Sequence, residues 1–266
     1  MASHAAMTTV LDTPFEQREV CFFVTYAPHA RLKFHVLHHM KAFKASGFDV
    51  VLIVNTNHGA DQFNFPSDIG GLCKKVFVRQ NIGFDFAAWA HAFLAIHPDL
   101  GQIDRIVLAN DSLIGPLDLD CFDRIIDRFR SSATDVFGLT ENPGPRWHLQ
   151  SFFLGFQRQA LEGAVMHDMM GSILNLPTKE LVIELYETRL SLMLKEKGLR
   201  LESMFPNMSD GMRHTNDTYY RWADLIKAGF PYLKISVLSE QLSQPEVRQA
   251  VPADLLGPWL QEQGKS

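Results

Sequence analysis

Apolar runs alternate with amphipathic stretches along most of this chain. Val20 to Thr25 (Val-Cys-Phe-Phe-Val-Thr) and Asp49 to Val54 are almost continuously apolar or β-branched, as strands buried on both faces would be. Tyr26-Ala27-Pro28-His29 ends the first run and Asn55-Thr56-Asn57 the second. Between them Leu32, Val36, Met40 and Phe43 recur at helical spacing, and Gly47 stops that helix. Further strands are expected at Lys75 to Val78, Ile103 to Ala109 and Asp135 to Leu139. One intervening helix carries Phe86, Trp89, Ala90, Phe93 and Leu94 on one stripe; a second carries Phe122, Ile125, Ile126 and Phe129. The stretch from His58 to Gly71 reads as a loop or irregular connection.

After Glu141 the pattern changes. Asn142-Pro143-Gly144-Pro145 reads as a loop, and Leu149 to Phe156 as another strand whose antiparallel orientation is open. Thr178 fits the N-cap of a helix running through Lys195, with Glu180 in its first turn. A later helix carries Trp222, Leu225 and Ile226 and closes at Gly229. Strand–helix alternation with short links implies an α/β fold: a Rossmann-type, mostly parallel sheet with helices on both faces.

Composition narrows the class. With 266 residues, 46% apolar and 11% aromatic, the chain is long and apolar enough to bury a substantial core. A formal net charge of −5 argues against a nucleic-acid partner, whose phosphates call for a basic surface. Cys21, Cys73 and Cys121 have no metal-type spacing and read as reduced, buried thiols. No apolar run is long enough to span a bilayer, and the N-terminus lacks a signal peptide's basic start and apolar core. A cytoplasmic location is expected, and peripheral association with the inner face of a membrane is compatible with it.

The chemistry concentrates where expected strands end. Arg79-Gln80-Asn81-Ile82-Gly83-Phe84-Asp85 follows the third strand, and Ala109-Asn110-Asp111-Ser112 closes the fourth. Ligands of open α/β sheets bind at these carboxyl ends. Gly83 permits a tight turn, Arg79 offers planar donors to phosphate oxygens, and Asp111 offers a hard oxygen ligand to Mg²⁺ or Mn²⁺. Asn81 and Asp85 would orient ribose, base or the adjoining loop, while Tyr26 and Asn55 stand at the first two strand ends. A structural Arg79–Asp85 ion pair and helix capping by Asn81 are the plainer alternatives. P-loop, Gly-x-Gly-x-x-Gly and Gly-x-Ser-x-Gly motifs are all absent. The constellation therefore points to a nucleotide-sugar site.

Four motifs in order carry a resemblance. They are Arg79-x-Asn81-x-Gly83-x-Asp85, Asn110-Asp111-Ser112-x-x-Gly115-Pro116, His148-x-Gln150-Ser151-Phe152-Phe153, and Trp222-x-x-Leu225-Ile226-x-x-Gly229-x-Pro231-x-x-Lys234. The set resembles the rhamnan synthesis protein F family of glycosyltransferases over roughly Cys21 to Leu238. The resemblance implies a GT-A-like fold, a nucleotide-sugar donor of the dTDP-rhamnose kind, and a glycan or lipid-linked acceptor.

The domain reading follows. Residues 1–18 are a flexible lead-in, and 19–266 form one domain. Within it, 19–141 is the nucleotide-sugar-binding half, 142–240 the acceptor-side half and 241–266 a C-terminal tail. Donor-binding candidates are Tyr26, Asn55, Arg79, Asn81, Gly83, Asp85, Asn110, Asp111 and Ser112, with Gln150 and Ser151 on the acceptor side. Glu141 and His148 are the candidate bases for an inverting transfer. Asp111 is the metal candidate, with His214 or Asp217 as a later ligand. The literal Asp118-Leu119-Asp120 reads instead as the start of a helix. His35, His38 and His39 share a helix face and read as partly exposed rather than metal-binding. Trp89 reads as core, with a border to the donor pocket as the alternative. Lys234 either reaches a phosphate or ends a surface strand.

Overall fold

The computed structural model describes residues 4–162, 164–208 and 216–264. Its centre is a mixed sheet built from β1 (Met7–Asp12), β2 (Glu19–Tyr26), β3 (Asp49–Thr56), β4 (Lys75–Gln80) and β5 (Arg105–Asn110). A two-residue β6 (Leu113–Ile114) leaves this sheet, and β7 (Val136–Asn142), β8 (His148–Leu149), β9 (Phe153–Phe156) and β10 (Leu201–Phe205) return to it. The order is β1-β4-β3-β2-β5-β9-β7-β10, with β8 paired to β7. β4, β3, β2 and β5 run parallel, as do β7 and β10. β9 lies antiparallel between β5 and β7, so both groups point the same way.

Side-chain alternation along the strands builds two cores, because successive residues face opposite sides of a sheet. Cys21, Phe23, Val50, Leu52, Val54 and Val76 face the helices Phe34–Ala45 and Leu119–Ser131. Val20, Phe22, Val24, Val51, Ile53 and Phe77 face the helices Phe84–Ile96 and Thr188–Glu196. Phe22 and Phe23 are both fully buried, one in each layer. Each such side chain contributes about 1.5–3 kcal/mol of transfer free energy. The fold is therefore the α/β, Rossmann-type arrangement expected, with a mostly unidirectional sheet covered on both faces.

Three details differ from expectation. The lead-in is not loose: β1 pairs antiparallel with β4, and Asp49 accepts bonds from the amides of Glu16 and Gln17. The stretch from Leu149 to Phe156 is two strands, β8 on β7 and β9 in the centre of the sheet. The C-terminal stretch packs as helices Pro245–Ala250 and Ala253–Glu262 in a third core with Ile114, Leu233, Val237 and Trp259.

β11 (Leu233–Lys234) pairs antiparallel with β6, setting Lys234 opposite Leu113 and Leu233 opposite Ile114. Gly115 is needed there: its φ is +150°, and a Cβ would lie 2.5 Å from the Pro231 carbonyl and 2.5 Å from the Tyr232 ring. This ribbon returns the last of the sequence motifs to the end of β5.

Candidate active site

A cleft of about 600 Å³ opens over the carboxyl ends of β2, β3, β4 and β5. Tyr26, Asn55, Asn81, Asp85, Asp111, Ser112 and Ser151 line it, joined by Lys33, Lys179, Glu187 and Lys234. Phe84, Phe86, Val182, Ile183 and Ile235 add an apolar wall. A larger cleft of about 740 Å³ lies near the amino ends of β2 and β4, around Asp12 to Arg18. The strand-end rule and the titratable groups favour the smaller one.

Asp111 follows β5 directly. Its Oδ2 accepts from Lys33 Nζ at 2.6 Å and from Thr25 Oγ1 at 2.6 Å. Burial opposes the charge on this carboxylate, but Lys33 and the Thr25 hydroxyl outweigh it and hold its pKa below the usual value. Asn110, nearly fully buried, stands behind the cleft. Its Oδ1 accepts from the amide and hydroxyl of Ser112, and its Nδ2 donates to Asp85 Oδ2 at 2.9 Å.

Asp85 shows the opposite behaviour. Burial pushes its pKa up to about 7, and Asp111 and Glu187 push the same way, against Lys179 and the Asn110 bond. A carboxyl that titrates near neutrality inside a cleft is matched to proton transfer.

The backbone around Asp85 is unusual. Gly83 has φ +75° and Phe84 φ +54°, so two consecutive residues are left-handed. A Cβ on Gly83 would lie 2.5 Å from Ala87 Cβ and 2.8 Å from Asn175 Cα, so only glycine fits. Phe84 has no such freedom and stores strain at the cleft. Asn55 helps hold it, donating from Nδ2 to the Phe84 carbonyl at 3.3 Å.

Arg79 lies beneath the cleft wall rather than in it. Its side chain is fully buried and donates to the carbonyls of Gln80 and Ile82, at 3.1 and 2.6 Å, and to Asn175 Oδ1 at 2.6 Å. Burial draws its guanidinium down to about 10. The expected phosphate contact is replaced by a structural one, in which the charge braces the Gln80–Phe84 turn. The alternative Arg79–Asp85 ion pair is not among the bonds described, and Asn81 lines the cleft without capping the helix that starts at Phe84.

Glu141 and His148 also lie outside the cleft lining. β9 stands between β5 and β7, which carries Glu141 sideways, and its carboxylate accepts from the Asn207 amide at 3.2 Å. His148 is buried, with Nδ1 2.7 Å from the Arg146 carbonyl. Gln150 is buried against Thr140 Oγ1, and Ser151 alone of this motif reaches the cleft. Trp89 is core, its Nε1 donating to the Phe22 carbonyl at 3.1 Å.

Four participants escaped sequence reasoning: Thr25, Lys33, Lys179 and Glu187. Lys33 follows β2 in a strand-end loop, so the same positional rule covers it. Glu187 arrives by a local irregularity. A π-turn over Ile183–Glu187 interrupts the helical run that Thr178 caps, and Glu187 accepts from the Ser151 amide and hydroxyl at 3.2 and 3.0 Å.

The donor set around Asp111 does not fit a protein-held divalent cation. One carboxylate oxygen already holds an ammonium and a hydroxyl. Among the described residues no group of three or more His, Cys, Asp or Glu is arranged for a metal. Asp217 is buried and accepts from the Met208 amide, and His214 lies outside the described residues. Asp118 caps its helix, accepting from the Cys121 amide at 2.7 Å. His35 and His39 are buried, not partly exposed, and His39 Nε2 meets the Tyr232 hydroxyl at 2.9 Å. Cys21 and Cys73 are buried and Cys121 half-buried; all three are free thiols. Among the described residues no helix is long and apolar enough to cross a membrane.

A family model described as rhamnan synthesis protein F matches residues 35–256. The virulence protein VirA of Vibrio anguillarum is 26% identical over 217 residues, covering 70% of this chain and 69% of VirA. The uncharacterized protein y4gN of Sinorhizobium fredii is 26% identical over 193 residues, covering 70% of this chain and 48% of y4gN. Among solved structures, a CMP:2-keto-3-deoxy-manno-octonic acid synthetase complexed with CTP superposes with a TM-score of 0.42 at 11% identity, over 79% of this chain and 98% of that one. A 4-diphosphocytidyl-2C-methyl-D-erythritol synthase gives 0.43 at 14%, over 81% and 99%. Likeness at that level carries no inference about a ligand.

Proposed function

The chain belongs to the rhamnan synthesis protein F family, and on that premise we propose that it is a GT-A-like glycosyltransferase of polysaccharide synthesis. It transfers a sugar, rhamnose or another deoxysugar, from a nucleotide-diphosphate donor to a growing cell-surface polysaccharide or lipid-linked glycan. The carrying observation is the strand-end cleft in which Asp85, Asp111 and Glu187 meet Lys33, Lys179 and Lys234.

In this reading Tyr26, Asn55 and Asn81 hold base and ribose, and Ser112 and Ser151 face the transferred sugar and the acceptor. Arg79, Gly83 and Asn110 position the donor-side walls. The acceptor hydroxyl attacks the anomeric carbon, the bond from that carbon to the diphosphate oxygen breaks, and the hydroxyl proton passes to Asp85. Asp85 suits this role because its carboxyl is half-ionised near neutrality. Negative charge growing on the leaving diphosphate meets the ammonium groups, and electrostatic stabilisation of this kind is commonly the largest contribution to catalysis. Asp111 fixes Lys33 and faces the sugar.

Calorimetry with a panel of nucleotide sugars, followed by incubation with acceptor and mass detection, tests the assignment. A one-sugar increment that disappears in Asp111→Asn, with the fold intact by circular dichroism, is the expected result. Tight donor binding without any increment would instead identify a nucleotide-sugar-binding scaffold, and an unchanged rate in the variant would remove Asp111 from its role.

A further inference from the structure

Lys234 sits at the end of β11, where its backbone position is set by two independent ties. Lys234 pairs with Leu113 across the β6–β11 ribbon, and the Ile235 amide donates to the Ser112 carbonyl at 3.0 Å. The side chain is half-buried and lines the cleft. Lys179, the first residue after the Thr178 cap, is exposed and lines the same cleft. Neither ammonium has an ion-pair or hydrogen-bond partner among the described residues. Burial and the neighbouring Lys179 charge both draw the Lys234 pKa down, and Glu187 opposes them. Glu187 itself is engaged by Ser151, and Asp111 by Lys33.

The Lys234 ammonium, partly removed from water with no counter-charge bonded to it, is costly, and the exposed Lys179 ammonium beside it adds repulsion. The cost disappears if the cleft's ligand brings the missing negative charge. The third lysine, Lys33, already has Asp111 and is not available in the same way.

We propose that Lys179 and Lys234 form the diphosphate-binding pair of the cleft, holding the donor's two phosphates between them. The proposal rests on the cleft being a nucleotide-sugar site and adds which side chains take the anionic part. In the transfer step the same pair receives the charge released when the sugar–phosphate bond breaks. Asp111 and Lys33 lie toward the sugar, and Tyr26 toward the base.

Titration calorimetry on the whole protein with dTDP, UDP, inorganic pyrophosphate and uncharged thymidine tests this, using wild type, Lys234→Met, Lys179→Met and Lys234→Arg. Each methionine variant is expected to weaken its binding of the preferred nucleoside diphosphate and of pyrophosphate by about 10-fold or more. Its affinity should depend less steeply on salt, thymidine binding should not move, and Lys234→Arg should recover most of the loss. Unchanged diphosphate affinity and salt dependence in both methionine variants, while the wild type still binds a nucleotide sugar, would overturn the pair and leave the transferase reading standing. A wild type that binds neither nucleotide sugars nor diphosphates would overturn both.

Discussion

Lys33 Nζ, at the start of the helix Phe34–Ala45, and Asp111 Oδ2, just past β5, lie 2.6 Å apart, and the Thr25 hydroxyl of β2 shares that oxygen. The pair ties that helix start to the end of β5 and keeps Asp111 ionised despite burial. Replacing Lys33 by Met leaves the carboxylate with the hydroxyl alone. Its pKa should rise, read by direct NMR titration of the Asp111 carboxyl. Stability held by the pair is present above the ordinary carboxylate range and is lost as pH falls below it. At pH 7 the variant should be less stable by about 1–2 kcal/mol, read by denaturant titration. An Asp111 titration identical to wild type would dissociate Lys33 from the ionisation of Asp111.

Asp85 gives the opposite sign. Its pKa is raised from 3.8 to about 7, so the folded state binds a proton that the unfolded chain has released. The stability this contributes is full below 3.8 and is lost as pH rises through about 7. Asp85→Asn copies the neutral form. It should be more stable than wild type at pH 8 by on the order of 1 kcal/mol after solvent screening, with little gain at pH 5. Its transfer rate should nonetheless fall at least 100-fold or so. Equal melting temperatures at pH 8 would show that Asp85 ionises normally.

Gly83 is the backbone test. Alanine there must adopt φ +75° and place its Cβ against Ala87 and Asn175. The expected cost is about 2–4 kcal/mol from strain and overlap together. Thermal unfolding should show it without any ligand present, and a melting temperature within a degree or so of wild type would show that the turn relaxes easily.

Arg79→Ala should likewise act on stability first. It removes a buried charged group that caps two carbonyls and Asn175, a loss of about 2–4 kcal/mol. Donor affinity measured well below the melting temperature should fall less than in the Lys234→Met variant. The reverse order would restore Arg79 to the role of a phosphate ligand.

The strands at Val20, Asp49, Lys75 and Ile106 were legible because each is buried on both faces and so shows an unbroken apolar run. β10 was not, since Leu-Glu-Ser-Met-Phe is half-exposed and has no such run. β6 and β11 are two residues each and exist only through each other. In the cleft, Asp85 and Asp111 were recoverable from their positions at strand ends. Glu141 obeys the same rule yet lies aside, because β9, from later in the chain, inserts between its strand and β5. Arg79 was misplaced for a related reason: Asn175, nearly a hundred residues away, supplies a partner that no local pattern announces. Lys179 and Glu187 depend on the packing of a helix against the sheet and on its π-turn, which periodicity does not reveal.

The β6–β11 ribbon also orders events in time. A nascent chain that has reached only β9 holds Asp85, Asp111 and Lys33 but has yet to make Lys179, Glu187 and Lys234. β11 brings Lys234 to the cleft, and the helices that follow it pack with Ile114 of β6 and Leu233 of β11 in the third core. The proposed anion pair thus depends on residues from the last part of the domain, and a product ending at β9 lacks both lysines.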